Sequence, residues 1–118
     1  MQVQRTDGLW YSAEYSTFSI TDEASNYRLT VAWYSGDAGD AMAGAVLMNY
    51  IANRMMFSSL DRDNDILTDG SCAAAKGGGW WHADCSTSVL NDDANGHWDT
   101  EYPSPIDVQS SRMLVKAN

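Results

Sequence analysis

Apolar and polar residues alternate over Tyr27 to Tyr34. Tyr27, Leu29, Val31 and Trp33 interleave with Arg28, Thr30, Ala32 and Tyr34, which predicts a half-buried β-strand ending at Ser35-Gly36-Asp37. Ahead of it, Tyr11 to Ile20 has the Ser, Thr and aromatic content of a strand, and Thr21 to Ser25 suits a turn or one helical turn. Past the Gly- and Asp-punctuated stretch Ser35 to Asp40, Met42, Val46, Met48 or Tyr50 and Arg54 fall at loosely helical spacing, so a helix is expected within Ala41 to Met56. From Asp61 to Glu101 periodicity disappears and Gly, Asp, Asn, Ser, Cys and Trp accumulate, the composition of binding loops carried on a rigid base. Arg112 to Lys116 predicts a short closing strand. No internal repeat, low-complexity tract or linker interrupts the chain.

At 118 residues the chain has room for one domain, which buries only about two thirds of its unfolded surface and gains from a covalent staple. Five Trp in so short a chain require large rings to be placed in a core or at a binding surface. The net charge is −9, and nine of the sixteen acids lie between Asp61 and Glu101, against only Arg62 and Lys76. That balance excludes nucleic acid as a partner, because phosphate binding needs a basic patch, and it favours hard cations. Ala41 to Phe57, the longest apolar-rich stretch, is broken by Gly44, Asn49, Asn53 and Arg54, so no segment approaches the ~20 apolar residues of a membrane span. Met1 to Trp10 carries Arg5 and Asp7 without an apolar core and is no signal peptide; Met1 is read as the start of a fragment or a truncated gene product.

Cys72 and Cys85 enclose twelve residues that include Gly77-Gly78-Gly79 and Trp80-Trp81. A disulfide is the natural reading, and closing such a loop contributes about 3 kcal/mol in an oxidising compartment. Two buried free thiols are the alternative. Zinc fits less well, since one His between the two Cys does not supply paired close spacings. Nucleophilic catalysis lacks a positioned base, His97 being the only histidine besides His82.

Asp61-Arg62-Asp63-Asn64-Asp65 places three carboxylates at alternate positions, converging on one side of an extended or looped backbone as ligands for calcium. The run opens like an EF-hand loop, but Ile66 stands where Gly is required and Cys72 where the bidentate Glu belongs, so that motif is rejected. A solvated charge run at a turn is the competing reading. Ile66 to Gly70 can add backbone carbonyls.

Taken in order, several segments resemble the fibrinogen C-terminal domain family, which includes ficolins, tachylectins, angiopoietins, tenascins and the fibrinogen chains. They are Tyr15-Ser16-Thr17-Phe18, Asp22 to Val31, Tyr34-Ser35-Gly36-Asp37-Ala38-Gly39-Asp40-Ala41, Phe57 to Asp65, Cys72-Ala73-Ala74, Trp80-Trp81-His82-Ala83-Asp84-Cys85, Gly96-His97-Trp98 and Met113 to Lys116. The resemblance spans most of the chain. It implies calcium held by Asp63 and Asp65, with Asp61 nearby, the Leu67 carbonyl and a further carbonyl near Thr68 to Gly70. It also implies a Cys72–Cys85 disulfide entered by a cis Asp84-Cys85 bond. In the family's acetyl-binding lectins a Tyr follows the first Cys by four residues and a His follows the second; here those places hold Lys76 and Ser86. The downstream excursion shrinks to Leu90 to Trp98, Ala41 to Met56 is longer than the usual hairpin, and the family's N-terminal subdomain has no counterpart. Exposed apolar surface where that subdomain would pack is expected to favour self-association into a homo-oligomer.

The expected fold is α+β: a small twisted antiparallel sheet from 1–60 and 102–118, with an irregular, loop-rich calcium and pocket subdomain over 61–101. The leading expectation for function is a secreted, calcium-binding, lectin-like module that binds acetylated or acidic glycans in innate-immune pattern recognition. Lys76, Trp80, Trp81, His82, Asp84 and Ser86 are its candidate pocket residues, the rings stacking on sugar faces. Core packing against the disulfide is the competing role for Trp80 or Trp81. A second expectation is a protein-binding module of angiopoietin or tenascin type with an extracellular receptor as partner, which loss of the pocket Tyr and His favours. A third is a truncated copy with reduced function. Catalysis is not expected, because adjacent carboxylates such as Asp92 and Asp93 point apart in a loop.

Overall fold

The computed structural model describes residues 1–44, 48–92, 96–99 and 106–116. Six strands form one antiparallel sheet in the order β3-β2-β1-β6-β5-β4. They are β1 (Gln2–Arg5), β2 (Trp10–Ile20), β3 (Leu29–Gly36), β4 (Ser88–Val89), β5 (Gly96–Trp98) and β6 (Ile106–Arg112). The one described α-helix, α1, spans Cys72–Lys76. This is the expected α+β architecture, with a curled sheet and little helix. The sheet nevertheless takes β4 and β5 from within 61–101, the segment read as irregular.

The β1–β2 turn closes through Arg5 N–H to Leu9 O at 2.8 Å and Gly8 N–H to Arg5 O at 2.9 Å, while the Asp7 carboxylate accepts from Leu9 N–H. After β2, Asp22 caps a 3-10 turn, Glu23–Ser25, by accepting from Ser25 N–H, and left-handed Asn26 ends it. Gly36 is required at the end of β3: its φ is +125°, and a Cβ there would lie 2.2 Å from the Ser12 carbonyl oxygen.

Leu29 and Val31 of β3 are buried, but the next residue in that alternation, Trp33, is 79 % exposed. Its left-handed backbone, φ +59°, rotates the side chain outward and turns Tyr34 toward Tyr15. The expected uniform alternation through Trp33 is therefore corrected to one that reverses there.

The helix expected within Ala41 to Met56 does not form in the described residues, which hold a turn at 41–43 and a 3-10 turn, Met48–Tyr50. Backbone groups after it bond sideways instead of along a helix. Leu29 N–H donates to Met55 O, Arg54 N–H to Leu29 O, Asn53 N–H to Met42 O, and the Asn53 side chain accepts from Val31 N–H. The segment lies along the outer edge of β3 and protects it. The closing strand is Ile106–Arg112, ending where the sequence pattern placed its start; Met113, Leu114 and Val115 follow it, exposed.

The core lies where the inner face of the sheet, with Val3, Ala13, Leu29, Val31, Trp98 and Ile106, meets Ala38, Met42, Ala52, Trp80 and Trp81. Two indole N–H groups tie it to loops: Trp98 Nε1 donates to Gly39 O and Trp81 Nε1 to Tyr27 O, both at 2.9 Å.

Candidate functional site

The acidic loop is positioned by a short bridge between Ser58 and Trp80, whose backbone groups exchange hydrogen bonds of 2.9 and 3.1 Å. Asn64 turns inward. Its N–H donates to the buried Ser58 hydroxyl at 2.9 Å, and its amide donates to Phe57 O at 2.9 Å. With Asn64 pinned, Asp63 and Asp65 flank it. Asp65 is the tie of the loop, one carboxylate oxygen accepting from Leu67 N–H at 3.0 Å and the other from Cys72 N–H at 2.8 Å. Asp63 accepts from Asp65 N–H, at 3.2 Å. Partial burial raises the Asp65 carboxyl above its ordinary value, the Cys72 N–H opposes the rise, and the adjacent Asp63 carboxylate adds to it.

Two neighbouring carboxylates, one already penalised for its charge, form a hard-oxygen donor pair that a divalent cation would relieve, so Asp63 and Asp65 fit calcium. No group of three His, Cys, Asp or Glu side chains able to hold a metal occurs among the described residues. Further ligands would be backbone carbonyls, as expected of Leu67, or water. Asp61 stands apart from the pair. It accepts from the Ser59 hydroxyl at 2.7 Å, which holds its carboxyl below the ordinary value, and it lines a groove with Asn26, Tyr27, Phe57 and Arg62.

Downstream of this loop, Ser71 caps α1 by accepting from Ala74 N–H, and left-handed Gly77 ends it. Cys72 and Cys85 are disulfide-bonded, and the Asp84-Cys85 peptide is cis, both as the family resemblance implied. Ile66 N–H donates to Ala83 O at 3.2 Å, so the acidic loop and the cysteine loop are fastened together by hydrogen bond as well as by the Asp65–Cys72 contact.

The six expected pocket residues divide. Trp80 and Trp81 are 2 % and 7 % exposed, the Trp81 ring meeting Phe18, Phe57 and Trp80 edge-on, so neither indole offers a face to a sugar in this structure. Core packing, the competing role, is where both stand. His82 is also fully buried, its Nε2 3.1 Å from Gly78 O, and burial pushes its imidazole below the ordinary value. Lys76, Asp84 and Ser86 are half-buried near the disulfide, the Ser86 hydroxyl donating to Cys85 O. Asn64 and Ser58, which set the loop geometry, carry no signal in the sequence beyond their place beside the acids.

The fold is thus an antiparallel sheet carrying a disulfide-stapled, carboxylate-tied loop. Residues 1–104 match the model of the fibrinogen beta and gamma chains' C-terminal globular domain, and the chain belongs to that family. Among its relatives is protein scabrous of Drosophila melanogaster, 42 % identical over 98 % of this chain and 14 % of that protein. The fibrinogen-like globe domain of human ANGPTL6 superposes with a TM-score of 0.67 at 33 % identity, over 86 % of this chain and 43 % of that one. Lamprey fibrin D-dimer, solved with the peptide ligand Gly-His-Arg-Pro-amide, gives 0.71 at 30 % identity over 86 % of this chain and 35 % of its own. The chain thus spans less than half the length of each. The family is non-enzymatic and its members here are extracellular proteins. Among the described residues no helix is long and apolar enough to cross a membrane.

Proposed function

We propose that this chain is a secreted recognition module whose partner is an extracellular protein or peptide, with the Asp63–Asp65 loop braced by calcium. Asp63, Asp65 and the Leu67 carbonyl would hold the ion, which when bound supplies positive charge between the two carboxylates. Asp65 keeps the loop in place through Leu67 and Cys72 N–H, and Asn64 anchors the backbone between the two acids through Phe57 O and the Ser58 hydroxyl. No covalent chemistry enters.

The observation that carries the choice of a protein over a glycan is the burial of Trp80, Trp81 and His82, which leaves Lys76, Asp84 and Ser86 as the half-buried polar groups of the sugar pocket expected from the sequence. Charge supports it too. Lamprey fibrin was solved with a cationic peptide, and this chain carries −9. The test is biosensor binding of immobilised, oxidised chain to Gly-His-Arg-Pro-amide and to a glycan array, with calcium and with chelator. Calcium-dependent peptide binding is expected. Binding to acetylated glycans, competed by N-acetylated sugars, with none to peptide or protein, would return the lectin and innate-immune reading to first place.

A further inference from the structure

Two Asp-Gly pairs occur in the chain, Asp7-Gly8 and Asp69-Gly70, and their surroundings are opposite. An aspartyl carboxyl lies one covalent step from the main-chain nitrogen that follows it, because attack of that nitrogen on Cγ closes a five-membered succinimide. A side chain on the following residue hinders the approach, and glycine has none. Between two such pairs, the difference lies in how firmly the nitrogen and the carboxylate are already engaged. At Asp7-Gly8 both are held. Gly8 N–H donates to Arg5 O at 2.9 Å, one Asp7 oxygen accepts from Leu9 N–H at 3.1 Å, and the other accepts from Arg5 Nε at 2.9 Å. At Asp69-Gly70 neither is held. Both residues are exposed, and among the described residues neither makes a hydrogen bond or an ion pair. Gly70 has φ +139°, where side chains are strained, so the loop keeps its glycine there.

We propose that Asp69-Gly70 is a modification site, at which aspartate isomerises spontaneously to isoaspartate and loosens the carboxylate-tied loop. Gly70 N forms a bond to Asp69 Cγ, the Cγ–O bond breaks, and the hydroxyl leaves with the amide proton as water. Water then adds to the succinimide. Opening at the Cγ–N bond restores aspartate, whereas opening at the other carbonyl leaves the main chain running through Cβ and Cγ, with the former backbone carbonyl as a free carboxylate. The net change is an isomerisation, so no oxidant, reductant or cofactor enters. Its product has an extra main-chain atom between Leu67 and Cys72, and both ends of that span are fixed. Ile66 N–H is bonded to Ala83 O, Asp65 holds Leu67 N–H at 3.0 Å and Cys72 N–H at 2.8 Å, and Cys72 is joined to Cys85 and opens α1. A longer path between fixed ends buckles, and the Asp65–Cys72 bond is the one it pulls on. The modification therefore reaches the loop that carries Asp63 and Asp65 and leaves the sheet alone. It does not rest on calcium, since the reaction needs only the free pair.

The test ages oxidised protein for weeks at body temperature in chelator and maps isoaspartate by electron-transfer mass spectrometry of the reduced tryptic peptides 6–28 and 63–76. Isoaspartate is expected to form at Asp69 at least about tenfold faster than at Asp7, because only there are nitrogen and carboxylate both free. Aged wild type is expected to show a less stable population in urea denaturation, its fraction matching the isoaspartate fraction, that Asp69→Ser aged alongside does not show. Asp69 is exposed and unbonded, so the fresh variant starts from the wild-type midpoint, and it carries Asn95-Gly96 unchanged, so ageing at that pair cancels in the comparison. Equal rates at Asp7 and Asp69, or no isoaspartate at Asp69, overturns the inference. So does isoaspartate at Asp69 in a protein whose denaturation matches that of the aged variant. Calcium uptake by fresh protein is a separate reading, and its failure would leave rates measured in chelator as they are.

Discussion

Replacing either acid of the tied loop separates what the loop does for the fold from what it does for an ion. Asp65→Ala removes two charge-assisted hydrogen bonds, to Leu67 N–H at 3.0 Å and Cys72 N–H at 2.8 Å. Hydrogen bonds to charged groups contribute roughly 1.5–3 kcal/mol each, and partial burial with a neighbouring carboxylate takes back part of that, so a loss of about 2 kcal/mol is expected. For a domain of this size that lowers Tm by about 6–12 °C. Asp63→Ala removes one bond, to Asp65 N–H at 3.2 Å, and also removes a charge that opposes Asp65. Its expected effect without calcium is within about 0.5 kcal/mol of zero. The assay is urea denaturation of oxidised protein in chelator, followed by tryptophan fluorescence. Equal destabilisation by the two variants, or none by Asp65→Ala, would refute the assignment of Asp65 as the tie.

Three further outcomes follow from the same structure. Trp33→Gly is expected to stabilise the chain by up to about 1 kcal/mol, because it relieves a left-handed tryptophan that buries little, and thermal melting reads the gain. His82 is held neutral by burial, so its folded-state value lies below its unfolded one; its contribution is present above about pH 6.5 and is lost as pH falls through that range, at no more than about 1.4 kcal/mol per pH unit. Comparing wild type with His82→Phe by denaturation between pH 7.5 and 5 isolates that slope. Reducing the Cys72–Cys85 bond is expected to cost about 3 kcal/mol through the loop it closes, read as a fall in the urea midpoint with added reductant.

Much of the sheet was legible because β2 and β3 are long enough to show composition and period. The acids and small residues of Thr21 to Ser25 likewise announced the turn, which Asp22 caps. β4 and β5 are two and three residues long, too short for any periodicity, and β1 buries only Val3. α1 was overlooked inside a glycine-rich stretch, although Ser71 before it and Gly77 after it are ordinary helix boundary residues. The closing strand was misplaced because Ile106–Arg112 is mostly exposed and polar, while the apolar Met113, Leu114 and Val115 lie beyond its end. At the site, the acids were legible from their spacing, but their division was not. Asp61 differs from Asp63 and Asp65 through its bond to Ser59, a tertiary detail. Trp80 and Trp81 suited pocket or core alike until the packing of Phe18 and Phe57 on Trp81, and of Trp81 on Trp80, placed the rings inside, and His82, next in sequence and expected at the pocket surface, is buried as well.

Calcium titration of the oxidised chain by isothermal calorimetry, on wild type and on Asp63→Ala and Asp65→Ala, addresses the calcium-braced module most directly. One site is expected on the wild type, lost in both variants, with a matching rise in stability of about 2.7 kcal/mol at a hundred times the dissociation constant. A folded wild type that takes up no calcium, or variants that bind it as well as the wild type does, would contradict it.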